Sequence, residues 1–237
     1  MEIRRSEKAG IHITSIKGQD LPIEAEKNVA GVAGLAILKA HNAQLGFEIR
    51  IEKNIKPGSG IGSSAASAAG TVAGINYLLG NPFTNKELIP FAMEGERLAC
   101  GSAHADNVAP ALLGGFTLVR DTNPLDICAL PTPLELVATV IHPKIEVKTA
   151  DARAVLKKRV TLEKAISQWG NVGALVSSLY EEDYDLLSRS LIDGIVEPTR
   201  AILIPHFSEL KAFDVLGLCL ENIGDLMEIR RSEKAGI

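Results

Sequence analysis

Aromatic side chains are scarce in this sequence of 237 residues, where Phe, Trp and Tyr together make up 4%. A core must therefore rest on Leu, Ile, Val and Ala, and a hydrophobic content of 46% supplies enough of them for one large domain or two modest ones. Cysteine is sparse too. Cys100, Cys128 and Cys219 are odd in number and lack metal-ligand spacing, which fits buried thiols in a reducing compartment. Five histidines with no His-x-x-x-His pair give no zinc site. Basic blocks are missing, the formal net charge is −4, and Arg4-Arg5 and Lys157-Lys158-Arg159 read as solvated faces. That argues against a nucleic-acid surface. No apolar run reaches membrane-span length; Ala65 to Leu79 comes nearest, but it is short and interrupted by Ser67, Thr71 and Asn76. No apolar leader opens the sequence. The expectation is a soluble, cytoplasmic protein with neither membrane nor nucleic-acid partner.

What is present is glycine in one telling place. Lys56-Pro57-Gly58-Ser59-Gly60-Ile61-Gly62-Ser63-Ser64-Ala65-Ala66-Ser67 follows a strand-like run, Gly46 to Lys53, and opens a long run of small, helix-compatible residues to Leu79. Glycines at 58, 60 and 62 let the backbone curl and let an anion approach its N–H groups. The following helix aims its free N–H groups and the positive end of its dipole at the same space. Ser63 and Ser64 add hydroxyls able to touch a phosphate or its metal ion. The Gly-Lys-Ser/Thr ending of the Walker type is missing. An ordinary glycine-rich turn capped by serine is the alternative reading.

Elsewhere, Ile11 to Ile16 and Phe47 to Lys53 alternate as strands, and Val29 to His41 carries helical spacing. Thr84 or Asn85 caps a predicted helix from Lys86 to Leu98. Gly101-Ser102-Ala103 is read as starting a short helix to about Leu112, ended by Gly114-Gly115, with Phe116 to Val119 a strand. Prolines at 124, 131 and 133 make Asp121 to Leu134 the best domain boundary. Leu136 to Ile141 is a predicted strand, and Thr149 to Leu156, Leu162 to Leu179 and Leu186 to Ile195 are predicted helices. Without a regular βαβ rhythm, the pattern favours an α+β fold.

Among polar groups, Glu94 is read as facing solvent. Glu96 could share Mg²⁺ with the Ser64 hydroxyl if its helix folds back to the glycine turn, since magnesium takes hard oxygens and keeps several waters. His104, Asp106 and Asn107 cluster after a Gly-Ser turn, where helix capping is the alternative. Thr149 and Arg153 share a helical face, and Arg200 follows Glu197-Pro198. Two arginines can clamp a carboxylate in fork geometry, or serve in surface ion pairs.

Taken together, these pieces resemble the kinases named for galactose, homoserine, mevalonate and phosphomevalonate (GHMP), and within them the homoserine kinases. The carriers are Pro57 to Ser67; Gly101 to Ala111 followed by Gly114-Gly115; Thr149-x-x-x-Arg153; Glu197-Pro198-x-Arg200; and Phe213 to Leu218. The resemblance implies ATP- and Mg²⁺-dependent phosphorylation of the L-homoserine hydroxyl, on the route to threonine. By the resemblance, Asn28 and Lys53 lie at the adenine, and Pro57, Gly58, Ser59, Gly60, Ile61, Gly62, Ser63 and Ser64 wrap the phosphates. Ser64 and Glu96 hold Mg²⁺. Asp214, His104, Asn107, Thr149, Arg153 and Arg200 surround the amino acid, with Asn107, Arg153 and Arg200 nearest the chemistry. Related kinases place an aspartate base near Asn107, and asparagine takes no proton at neutral pH. Positioning and charge stabilisation are the implied means of catalysis.

The same resemblance implies a nucleotide-binding half over residues 1–120 joined by 213–237, and an incomplete ferredoxin-like half over 121–212. It places Phe213 and its followers before Met1 in the family's order, so the chain resembles a permuted or spliced member with its original ends removed. Met1 to Ile11 recurs letter for letter as Met227 to Ile237. If the first copy is a strand, its slot is filled once, and the second must fray, pair elsewhere or exchange with another molecule in a homodimer or strand-swapped oligomer. A non-catalytic module that keeps the kinase scaffold is the rival reading.

Overall fold

A computed structural model describes residues 1–42, 44–55, 61–101, 103–141, 155–211, 217–219 and 226–231. Helices and strands are mixed, as α+β predicts, and the chain divides into two compact units. The first comprises Met1–Pro57 and Gly62–Ala129; the second takes Leu130–Ile237 and also Ile61.

The first unit is organised around strand β3 (Gly46–Glu52), which lies between β1 (Glu2–Ser6), antiparallel to it, and β2 (Gly10–Lys17), parallel to it. Parallel neighbours need a long crossover, and helix α1 (Val29–His41) provides it. Alternation along β3 buries Phe47, Ile49 and Ile51 and turns Arg50 and Glu52 outward. Arg4 of β1 donates to Glu48 of β3 at 2.9 and 2.6 Å, which pins the antiparallel register on the exposed face. The buried strand residues share one core with α1, α2 (Ser63–Leu78), α3 (Asn85–Cys100) and α4 (Val108–Leu113).

Helix boundaries follow local chemistry. The Asn28 side chain accepts from Ala30 N and caps α1. Thr84 and Glu87 form a reciprocal capping box at α3. Gly101, in the left-handed region, closes α3. The short helix expected from Gly101 starts only at Val108, so His104 to Asn107 project from irregular chain ahead of α4. A Gly-Ser pair after a helix here marks the end of one helix, not the start of the next.

A hairpin closes the unit: β4 (Phe116–Thr122) and β5 (Leu125–Leu130), with Arg120 paired to Asp126 across it. The prolines that suggested a loop fall outside β5, Pro124 in the turn and Pro131 and Pro133 beyond its end. Cys128, expected to be buried, is exposed, because alternation on β5 points Ile127 inward and its neighbour outward.

In the second unit, β6 (Leu136–Ile141) pairs antiparallel with β8 (Leu226–Arg231), which pairs with β7 (Gly217–Cys219). Helices α5 (Leu162–Glu181), α6 (Tyr184–Ser190), α7 (Glu197–Arg200) and α8 (Phe207–Lys211) complete the described elements. The repeated segment therefore pairs elsewhere. The first copy supplies β1 on the β3 edge, and the first five residues of the second, Met227 to Arg231, lie along β6. One edge of β3 is taken by β1, and β6 offers another to the second copy. The predicted helix Thr149 to Leu156 falls mostly outside the described residues.

Phe47 is fully buried in the middle of the first unit's core. Phe47→Ala should lower unfolding stability by about 3–5 kcal/mol, read as a shift in urea midpoint; a loss below about 1 kcal/mol would show that β3 is not the centre of the core.

Candidate active site

The first turn of α2 is the focus. Gly62 precedes the helix at φ +68°, where glycine is at ease, and no side chain caps the helix start. No acidic residue sits in the first turn. Among the described residues, the leading N–H groups of this 16-residue helix thus have no side-chain cap at its positive end.

Two neighbouring serines take different jobs. Ser63 is buried and its hydroxyl donates to Ile55 O at 2.8 Å, tying the helix start to the chain that leaves β3. Ser64 is half-buried, and its hydroxyl lies near enough to the Glu96 carboxylate to favour the charged form.

Glu96 reaches Ser64 because α1, α2 and α3 come very close at Gly95. A Cβ there would lie 2.7 Å from Val29 O and 3.2 Å from the Ala68 Cβ. Glu94 and Glu96, two apart on α3, face different ways. Glu94 is solvent-facing and pairs with Arg97 at 3.1 Å, whereas Glu96 is only 5% exposed. Burial pushes the Glu96 carboxyl above the usual carboxylate range, and the Asp106 charge adds to this, while Ser64, His104 and Lys53 oppose it. Among the described residues, Glu96 Oε1 has no hydrogen-bond partner. A buried, unpartnered carboxylate oxygen beside a hydroxyl at the positive end of a helix is a hard-oxygen site, suited to Mg²⁺ with phosphate oxygens and water completing the shell.

Lys53 is buried below the same turn. Its Nζ donates to Ser63 O at 2.8 Å and to Ser67 Oγ at 2.7 Å. Burial lowers its pKa, against a smaller opposing pull from Glu96. On the other side, Asn107 approaches Gly62, with its Oδ1 3.6 Å from where a Cβ on Gly62 would be. Asn107 stands at the start of α4 yet makes no side-chain cap, so the capping alternative is not what its amide does. Asp106 Oδ1 accepts from Asn107 N at 3.1 Å, and Asp106 is exposed. His104 Nε2 is shielded from solvent and, among the described residues, without a hydrogen-bond partner.

Gly62, Ser63, Ser64, Glu96, Lys53, His104 and Asn107 thus gather at one end of α2. Asn28 is committed to the chain on both sides of its amide, accepting from Ala30 N and donating to Pro22 O at 2.7 Å. Ile61 is exposed, and Arg200 is half-buried at the end of α7 in the second unit. Pro57, Gly58, Ser59, Gly60, Thr149, Arg153 and Asp214 lie outside the described residues. Ser67 was missed in the sequence; its position four after Ser63, hence on the same helical face, was the available signal.

The GHMP kinases N terminal domain matches residues 24–115, which contain this whole cluster. A homoserine kinase of Chlorobium phaeobacteroides (strain BS1) is 48% identical over 218 residues, covering 87% of this chain and 68% of that protein. The crystal structure of homoserine kinase from Cytophaga hutchinsonii ATCC 33406 matches with TM-score 0.93 at 49% identity, covering 98% of this chain and 76% of that one. Streptococcus pneumoniae phosphomevalonate kinase, in complex with phosphomevalonate and AMPPNP, matches with TM-score 0.72 at 15% identity, a likeness of fold. With about half its residues shared over most of its length, and the helix-end cluster falling inside the matched domain, the chain belongs to the homoserine kinase family of the GHMP kinases.

Proposed function

We propose that this chain transfers the γ-phosphoryl group of ATP to the hydroxyl of L-homoserine, on the route to threonine. ATP use follows from the kinase family to which the chain belongs. The observation that carries the local reading is the orphaned Glu96 Oε1 beside Ser64 at the uncapped end of α2.

In this reading the first-turn N–H groups of α2 donate to the phosphate oxygens, and the helix end offsets their charge without reorganising. Ser64 and Glu96 hold Mg²⁺, which neutralises phosphate charge when bound. Asn107, beside Gly62, orients the substrate hydroxyl; its amide cannot accept the proton, so the rate gain comes from alignment and charge stabilisation. His104 lies on the amino-acid side, and Arg200, Thr149, Arg153 and Asp214 are assigned to the carboxylate and ammonium. Nucleotide binding is assigned to the first unit, which holds the helix-end cluster. The setting proposed is the cytoplasm.

A coupled ADP-release assay tests the substrate directly. Turnover with L-homoserine and little with mevalonate, galactose or shikimate is expected; equal indifference to all four removes the assignment. Ser64→Ala should lower kcat/KM for Mg·ATP by about 100-fold, equivalent to about 2.7 kcal/mol, with stability nearly unchanged. Ser63→Ala should instead cost about 1 kcal/mol of stability, seen in urea unfolding, because it breaks the tie to Ile55.

Glu96 also fixes a pH dependence. Its pKa is raised on folding, so the folded chain holds the proton longer than the unfolded chain does. Stability therefore falls as pH climbs from about 4.3, the ordinary carboxylate value, through the raised folded-state value, and is level above it. Glu96→Gln removes this slope. Its urea midpoint should gain on the parent across that window, while Mg²⁺-dependent nucleotide binding is lost. Identical pH slopes in the two proteins would contradict the buried carboxylate.

A further inference from the structure

We propose that the outer face of α5 is an interface between two copies of this chain, packed antiparallel about a two-fold axis at the level of Asn171. The inference involves only the second unit and stands apart from the kinase reading.

The two sides of α5 differ. Its inner side is committed: Asn171 donates to Ile192 O at 2.7 Å, Gln168 accepts from Gly194 N at 3.0 Å, and Ser178 and Leu179 are buried. The other side carries Leu162, Ile166, Trp169, Gly173, Val176 and Tyr180, spaced alternately four and three apart, which makes one straight stripe. Leu162, Ile166, Trp169 and Tyr180 are each more than half exposed. Aromatics are scarce in this chain, yet its one tryptophan stands on the surface at 65% exposure. A contiguous apolar stripe with exposed aromatics marks a protein contact.

The stripe's own symmetry and its flanking charges select a second copy as the occupant. Laid end to end against itself, the stripe sets Leu162 against Tyr180, Ile166 against Val176 and Trp169 against Gly173, so that every residue of the stripe meets a partner and the indole meets a gap. Gly173 has no evident reason within the chain. A Cβ there would meet no described atom within 4 Å, while glycine in a helix interior costs about 1 kcal/mol relative to alanine. An indole from a partner gives that open notch a use.

The charges agree. Four bases and one acid, Glu163, lie between residues 157 and 164, and four acids and no base lie between 181 and 185, all of them exposed. This is the reverse of the order that the α5 dipole favours. Antiparallel packing brings each basic run to the partner's acidic run at both ends, whereas parallel packing would set like against like. A helix of 20 residues is about 30 Å long. One face of it offers less than the roughly 800 Å² per partner of a standard interface, so the dimer expected is a weak one with a micromolar dissociation constant.

Sedimentation velocity from submicromolar to submillimolar chain follows the equilibrium, and the emission of the one tryptophan reports its burial. Dimers that grow with concentration, with a blue-shifted emission, are expected. Trp169→Ser should weaken association about tenfold or more, with the melting temperature of the dilute monomer nearly unchanged. Gly173→Leu should weaken it similarly by filling the notch, while the dilute monomer melts no lower, since leucine is the better helix former. A chain carrying Lys157→Glu, Lys158→Glu and Arg159→Glu, and another carrying Glu181→Lys and Glu182→Lys, should each dimerise poorly alone yet pair when mixed, because antiparallel packing then restores both end contacts. A monomer at every concentration overturns the proposal. A dimer that survives both Trp169→Ser and Gly173→Leu, as strand exchange through the repeated segment would, overturns it too, and so does failure of the two charge-reversed chains to pair.

Discussion

Everything at this site depends on a helix that begins without a cap. Gly62 precedes the first-turn amides of α2, and among the described residues no side chain caps them. Elsewhere the protein caps its helices carefully, with Asn28 at α1, the Thr84–Glu87 box at α3, Thr161 at α5 and Asp183 at α6. The short helices α4 and α7 also start without a side-chain cap, but among the described helices longer than six residues α2 alone does so. Leaving those donors open costs stability in the empty chain, and a bound anion recovers it.

The groups around this helix end share the same economy. Glu96 is buried with one oxygen unpartnered, and Lys53 is buried beneath a like-signed dipole. Each is costly alone. In the proposed reading a metal-bearing polyphosphate offsets these costs, with the carboxylate toward the metal and the amides toward phosphate. The close approach of three helices at Gly95 and Ala68 is what brings Glu96 within reach of Ser64, so a packing detail of small residues sets the spacing of the chemistry.

Much of this was legible in the sequence. The β3 alternation, the α1 span and the Thr84 cap are local signals, and the structure keeps them. The proline-flanked β5 was hidden because proline's usual meaning, no strand, fails when each one sits just outside the ladder. The start of α4 was misjudged because a Gly-Ser step reads equally as a stop or a start. Glu94 and Glu96 are indistinguishable by spacing; only the packing of α3 sorts one to solvent and the other to the site. Lys53 was in phase with Phe47, Ile49 and Ile51 all along. Its inward direction was readable from the period of two, while its partners, Ser63 and Ser67, lay across a loop that local pattern does not span.

The most direct measurement is a crystal structure with Mg²⁺ and AMPPNP. The account predicts phosphate oxygens within hydrogen-bond distance of the first-turn amides of α2, and the metal on the Ser64 hydroxyl and Glu96 Oε1. Phosphates bound elsewhere, with that helix end empty or covered by side chains, would contradict it.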